Sequence, residues 1–475
     1  MEYFALLATA TLVIAVLAWA VYQKTRDLGT VIGAGALYYW SLFGAWSLVI
    51  DKTGGFSGKH YYYLEAKMFP IELDGNYLIS LALYAGFIIV LQLTLLAITP
   101  TRREPPVVRL ILRHEPILLL TSLAAVASML LIRDKLSAAW DLNTSAYWYT
   151  RTQTDEWFTL HQVLNRAALL PAAIGLATLL AGQQSRYFVS VRRRYTLLGY
   201  GAVLGGMCLF TFLLGNKNEV LAALVAGVLA YLSSVRRPQW IKTGVVLAAG
   251  LWFLYAIDFF RAYPLSGMAQ AVTEHVEDAT EVGRFVTSSN EAFAAHFSMY
   301  GVLSRDVEPR FGYSLYSLAC SVIPRIFWPD RPRDIYLYYS ESVGTIQNQG
   351  YSLHHATGWY LNFGYLGVPL GAVVMGLVWG YCQNARRRIR RRTGLPFRLF
   401  ATVAPWFFAA CLPPMLRAGP EAYKGLIIEG ALIPVAVLIL ACRPKRGRAP
   451  KLSWSAQRGW SVNTPAPGMG AGISA

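Results

Sequence analysis

The sequence predicts an all-α, polytopic membrane protein of about eleven transmembrane helices, and three observations predict it. Of 475 residues, 55% are hydrophobic and only 15% charged, and the mean hydropathy is +0.38, which no soluble globular chain needs. Apolar runs close to the ~20 residues that cross ~30 Å of hydrocarbon recur from end to end. Arginine collects in alternate gaps between those runs. In a soluble chain the net charge of +17 would suggest nucleic acid. Confined to short gaps, it reads as the cytoplasmic bias of membrane loops, and no nucleic acid is expected as a partner.

In chain order the runs fall at 3–21, 28–50, 77–99, 116–132, 163–182, 196–214, 219–235, 240–260, 357–382, 397–416 and 424–442, with 116–132 and 219–235 short. The first begins after Met1-Glu2, with no basic segment before it, and so reads as a retained span rather than a cleaved signal. Between the third and fourth runs lie Arg102, Arg103, Arg109 and Arg113; between the fifth and sixth, Arg186 and Arg192 to Arg194. Arg236 and Arg237 follow the seventh, Arg386 to Arg392 the ninth, and Arg443, Lys445, Arg446 and Arg448 the last. Strict alternation puts all of these on one side, the cytoplasm, with the N-terminus periplasmic and the C-terminus cytoplasmic.

The layout that results is 1–260 for helices 1–8, 261–356 for a large periplasmic loop with an interfacial or re-entrant segment, and 357–443 for helices 9–11. A tail, 444–475, rich in Gly, Pro, Ser and Ala, reads as disordered. Of five cysteines, Cys208, Cys382, Cys411 and Cys442 lie in or beside runs and Cys320 stands in the loop, so neither a disulfide framework nor metal-ligand spacing emerges. Outer gaps are rich in aromatics, among them Tyr61 to Tyr63, Tyr147, Trp148, Tyr149, Tyr263, Tyr336, Tyr338, Tyr339 and Tyr351. They read either as an interfacial belt or as stacking surfaces for sugar rings.

The stretch 313–364 organises the rest. Tyr313 to Phe327 is apolar but too short to span, Pro324 breaks it, and Trp328-Pro329-Asp330-Arg331-Pro332 forms a rigid turn. Gly358 to Gly364 then leads into a span. The run IPRIFWPDRP followed by GWYLNFGYLG resembles the Wzy-type polymerases of O-antigen and exopolysaccharide repeat units, most clearly from Leu213 to Tyr381. Where that family reads Gly-Glu-x-Tyr-x-Asn-Phe-Gly, Gly358 is followed directly by Trp359 and Tyr360, so the Glu is absent. The resemblance implies a GT-C-like fold in the bacterial inner membrane. It implies transfer of a growing glycan from undecaprenyl diphosphate to a fresh lipid-linked repeat unit, with Tyr360 and Asn362 near the substrate. Such an enzyme would work beside a flippase and a chain-length regulator. An O-antigen ligase is the nearest alternative, and a flippase or transporter of the same lipid-linked sugars the alternative from another class.

A lipid-linked donor carries its diphosphate at the interface, so cations are wanted at outer span ends. Lys217, in the turn Asn216-Lys217-Asn218-Glu219, Arg261, Arg284, Arg325, Arg331 and Arg417 are the candidates. The turn at Lys217 also reads simply as a polar end to two helices. Arg166, Asp258, Lys424 and Glu429 are further charges at span ends, with an internal ion pair as the alternative for Glu429. For the base that takes the acceptor's proton, the candidates are His354 and His355 and the carboxylates Glu291, Asp330 and Glu341. A histidine at a loop end is also often only solvated. No Asp-x-Asp pair and no glycine-rich phosphate loop stands out, so neither a metal nor a cofactor is expected.

Overall fold

The structure is a computed structural model and describes the chain outside 54–71, 102–111, 153–155, 183–190, 236–238, 262, 268–290, 322, 324–326, 329, 345–351, 386–394, 442–451, 456–458 and 463–475. The first span is α1 (Glu2–Thr25), apolar all round, with Leu12, Val16 and Trp19 exposed as lipid-facing side chains are. Arg26 ends it in the left-handed conformation, and Asp27 starts α2 (Leu28–Tyr38) by accepting the Gly29 N–H at 2.9 Å. A π-helical turn, Tyr39–Phe43, joins α2 to α3 (Gly44–Thr53). Asp74 caps α4 (Gly75–Ile98) through the Tyr77 N–H at 2.8 Å.

The chain continues through α5 (His114–Leu131), two short helices α6 (Arg133–Asp141) and α7 (Ala146–Thr152), then α8 (Glu156–Ala181), α9 (Val191–Leu213), α10 (Asn218–Ser234) and α11 (Trp240–Phe260). The large loop contributes α12 (Glu291–Ser304), α13 (Tyr313–Cys320) and α14 (Ile335–Val343). After it come α15 (His355–Phe363), a 3-10 turn Gly364–Leu366, α16 (Gly367–Ala385) and α17 (Leu395–Leu416). Ala422–Lys424 and a π-helical stretch, Gly425–Leu432, lead into α18 (Ile433–Ala441). Ten of these segments are long and apolar enough to cross a membrane, and α10, at 17 residues, is apolar but shorter. The protein is thus an all-α, polytopic membrane protein, and each of the eleven apolar runs coincides with one of these helical segments.

Two hydrophobic cores meet on α17. Its Phe408, Cys411, Leu412, Met415 and Leu416 join a core with α1, α4, α12 and α15, while Val403, Trp406, Phe407, Ala409 and Ala410 join another with α5, α8 and α10. In the loop α12 is a buried helix. From Ala292 to Leu303 every side chain of α12 is buried, with Phe293, Phe297 and Met299 in the core. On and beside α13, by contrast, Phe311, Tyr316 and Phe327 are exposed, an apolar face suited to the membrane surface. In the tail, Leu452–Ser455 and Gly459–Val462 pair as an antiparallel hairpin, a local structure that the composition of 444–475 does not announce.

Candidate functional site

The head of α15 sits on a buried polar network assembled from four elements. His354 caps the helix: its Nδ1 accepts the Ala356 N–H at 3.1 Å. Its Nε2–H then points at Ser41 Oγ, 3.0 Å away in the π-turn, and its own N–H donates to Ser298 Oγ on α12 at 3.0 Å. Ser298 also bonds Thr357 at 2.9 Å. His296, on α12, donates from Nδ1 to the Ser41 carbonyl at 2.6 Å and accepts from the Tyr77 hydroxyl at 3.0 Å. A π-turn displaces backbone carbonyls from the helical ladder, which is how Ser41 has one to offer. Tyr84 closes the network, donating to the His296 carbonyl at 2.8 Å with its ring 4.5 Å from that of His354.

His355 looks the other way. Its Nδ1–H donates to the Ala418 carbonyl at 2.9 Å, and its Nε2 accepts from Trp359 Nε1 at 3.1 Å. Both histidines are fully buried, where the sequence places them at a loop end. In each, the nitrogen that carries the lone pair is already occupied. Burial holds His296 down to about 4 and pushes His354 well below its ordinary value, with the neighbouring His355 and His296 adding to the effect.

About two turns further along α15, Asn362 is fully buried and saturated. Its Nδ2 donates to Ser314 Oγ at 2.7 Å and to the Gly358 carbonyl at 2.6 Å, and its Oδ1 accepts the Ser314 N–H at 2.8 Å. It therefore pins α13 to α15. Tyr360 lies edge-on to Tyr365 at 5.3 Å and is nearly buried. Gly358 abuts Gly419: a Cβ at Gly358 would lie 2.6 Å from the Gly419 Cα. That contact seats the loop 417–421, which carries Arg417, against the head of the helix.

Glu421, in that loop, is a residue the sequence reading passed over. Its Oε1 accepts the Ile335 N–H at the start of α14 at 3.0 Å. Its Oε2 is buried and makes no hydrogen bond of good geometry among the described residues. Burial pushes this carboxyl up to about 7, against the opposing pull of the Ile335 N–H and the Ser314 hydroxyl. Nothing in the composition of the turn marks it, because its partners Ile335 and Ser314 lie about a hundred residues away. Arg310 was passed over too: its guanidinium lies 3.9 Å from the Tyr338 ring centroid, and its backbone N–H donates to the Leu361 carbonyl at 2.6 Å.

The other predicted residues divide. Arg261 packs on the turn before Lys217: Gly215, at φ +66°, is wedged so that a Cβ would lie 2.7 Å from the Arg261 Cβ and 3.0 Å from the Tyr147 side chain. Arg261 stacks over Tyr147 at 4.9 Å. Close to that turn, Arg166 and Glu219 pair at 3.6 Å. Arg331 is spent on structure, its Nη1 donating to the Ser321 and Ile323 carbonyls at 3.0 and 2.8 Å beyond the end of α13. Glu341 is exposed on α14, and Asp330 is exposed in the turn before it. Arg284 and Arg325 lie outside the described residues, as do the side chains of Asp258, Glu291 and Glu429. Among the described residues no group of His, Cys, Asp and Glu is arranged to hold a metal.

Two curated proteins, each described as an O-antigen polymerase, one from Salmonella typhimurium and one from Salmonella typhi, are similar to this chain. Each is 30% identical over 182 residues, a match that covers 36% of this chain and 39% of the relative. The match thus spans about two fifths of the length of these relatives. No family model matches the chain, and no solved structure does.

Proposed function

We propose that this chain polymerises lipid-linked oligosaccharide repeat units for O-antigen, capsule or exopolysaccharide, acting as a glycosyltransferase at the periplasmic face of the bacterial inner membrane. The observation that carries this reading is the 30% identity over 182 residues with two proteins described as O-antigen polymerases. The donor is a glycan on undecaprenyl diphosphate and the acceptor a hydroxyl of a second lipid-linked unit. A flippase would deliver the units and a chain-length regulator would limit the product.

The chemistry suits the arrangement of charge. As the acceptor oxygen bonds to the anomeric carbon, the C–O bond to the diphosphate breaks and its electron pair leaves with the phosphate. Cations held at that depth stabilise the departing charge. Lys217, Arg261, which stacks over Tyr147 beside the turn before Lys217, and Arg417, just past the end of the central helix α17, are the cations this reading assigns to that role. An arginine adds bidentate contact with phosphate oxygens.

The test is the surface polysaccharide of a deletion strain, run as a size ladder. Single repeat units with no longer chains are the expected result. Full-length chains stranded on the lipid carrier would instead identify a ligase. Units accumulating on the cytoplasmic face would identify a flippase.

A further inference from the structure

We infer that Glu421 is the general base of the transfer, its Oε2 taking the proton of the attacking acceptor hydroxyl. This rests on the polymerase reading and adds to it the group that moves the proton.

Three features of the geometry single it out. The carboxyl is fixed at one oxygen and unbonded at the other: Oε1 is tied to the Ile335 N–H at 3.0 Å, and Oε2, buried, makes no hydrogen bond of good geometry among the described residues, with the Ser314 hydroxyl as a polar neighbour of the carboxyl. A buried acceptor left unbonded costs roughly 1–3 kcal/mol, so an occupant is favoured there. Glycine at 419 is what lets the backbone come up to that oxygen, since a Cβ on Gly419 would lie 2.6 Å from it. Finally, Glu421 stands where α13, α14 and α15 converge, beside the Ser314 hydroxyl that Asn362 holds at 2.7 Å. Its rivals are otherwise engaged. The basic nitrogens of His354 and His355 hold the Ala356 and Trp359 N–H groups, Glu219 pairs with Arg166, and Glu341 is exposed.

The charged and titratable groups near Glu421 are Asp334 at the head of α14, which pushes its carboxyl the same way as burial does, and His355 of α15. On its own loop stand Arg417, Tyr423 and Lys424. A carboxyl raised to about 7 is matched to general-base work near neutral pH. In the step, the hydroxyl O–H bond breaks as the new C–O bond forms. The proton goes to Oε2, the diphosphate leaves with its electron pair, and the carboxyl returns the proton to water.

The experiment uses the purified full chain with undecaprenyl-diphosphate-linked repeat units. In the wild type, rate should rise with pH through about 7 and then level off. Glu421→Gln keeps an amide oxygen for the Ile335 N–H but has no base. It should lose about 10²–10⁴ in rate, lose the pH limb, and still bind undecaprenyl diphosphate. Glu421→Asp should recover part of the rate. A merely structural carboxyl predicts the opposite for Glu421→Gln: near-normal turnover with the pH limb intact. That result overturns the assignment, as does a wild-type profile flat through that value, which needs no variant. If the wild type binds the lipid-linked units and joins none, the polymerase reading itself fails, and this role falls with it.

Discussion

His354 illustrates how a side chain's chemistry is set by partners far away in the sequence. Read alone, a histidine ahead of a span is a neutral-pH titrating group. Its contacts with Ser41 and Ser298, 313 and 56 residues away, make it instead a buried cap in a fixed tautomer. No local pattern could announce those partners. Stability should therefore be acid-sensitive. His296 binds fewer protons folded than unfolded between about 4 and 6.5, so its contribution is complete above that window and is lost as pH falls through it. His354 is shifted in the same direction. Thermal unfolding in detergent should move to lower temperature on acidification across that range, and less so in His296→Gln. A wild-type midpoint that stays level would contradict the neutral network. Lys217 and Arg417, by contrast, were legible as cations at span ends. Replacing either with Ala removes a charge-assisted contact worth roughly 1.5–3 kcal/mol, so turnover should fall about tenfold to a hundredfold or more. Lys217→Arg should keep much of it. Wild-type ladders from both alanine variants, at normal membrane levels, would remove the proposed diphosphate site.

The ninth apolar run shows what hydropathy resolves within an element and what it does not. Its existence is plain in the sequence, but the element is a helix broken in two. α15 ends at Phe363, and α16 begins at Gly367. Gly364 makes the break at φ 61°, ψ −146°, a region only glycine occupies at low cost. Gly367 lets α16 pack on Trp359, whose carbonyl oxygen would lie 2.0 Å from an added Cβ. The glycines could be seen in the sequence, whereas the backbone they accommodate could not. The same applies to α12, apolar but only 14 residues long and so assigned to the loop, although its side chains pack among spanning helices. Gly364→Ala should lower stability by about 1–3 kcal/mol through backbone strain. Gly358→Ala, which drives a Cβ to 2.6 Å from the Gly419 Cα, should displace the loop carrying Arg417 and Glu421 and depress turnover more than stability. Gly205→Ala, with open space around it, is the control and should melt no lower than the wild type. Equal midpoints for Gly364→Ala and the control would show that the break imposes no strain.

At the scale of the whole molecule the helix α10 decides the topology. Among the described residues ten spans are long enough by themselves, but α10 has 17 residues, ~25 Å of helix at 1.5 Å per residue against ~30 Å of hydrocarbon. Length alone leaves its crossing in question, and its surroundings argue for it. α10 buries Val220, Ala222, Ala223, Ala226, Val228, Leu229 and Ala230, and shares a core with α8 and α17, so protein rather than lipid covers much of it. A helix enclosed in this way need not match the full bilayer thickness. If α10 crosses, the two spans between Arg193 and Arg237 return the chain to the side it left. Reporter fusions at Arg103, Arg193, Arg237 and Arg390 should then all give a cytoplasmic signal, and fusions at Lys59, Asn143 and Gln347 a periplasmic one. If α10 only dips into the membrane, everything after it inverts, and Arg237 and Arg390 report the periplasm while Arg193 does not. That inversion would also separate Arg417 and Glu421 from Lys217 across the membrane, which no single diphosphate site could tolerate. A matching cytoplasmic signal at Arg193 and Arg237 is therefore the outcome that the eleven-span reading and the proposed site both require.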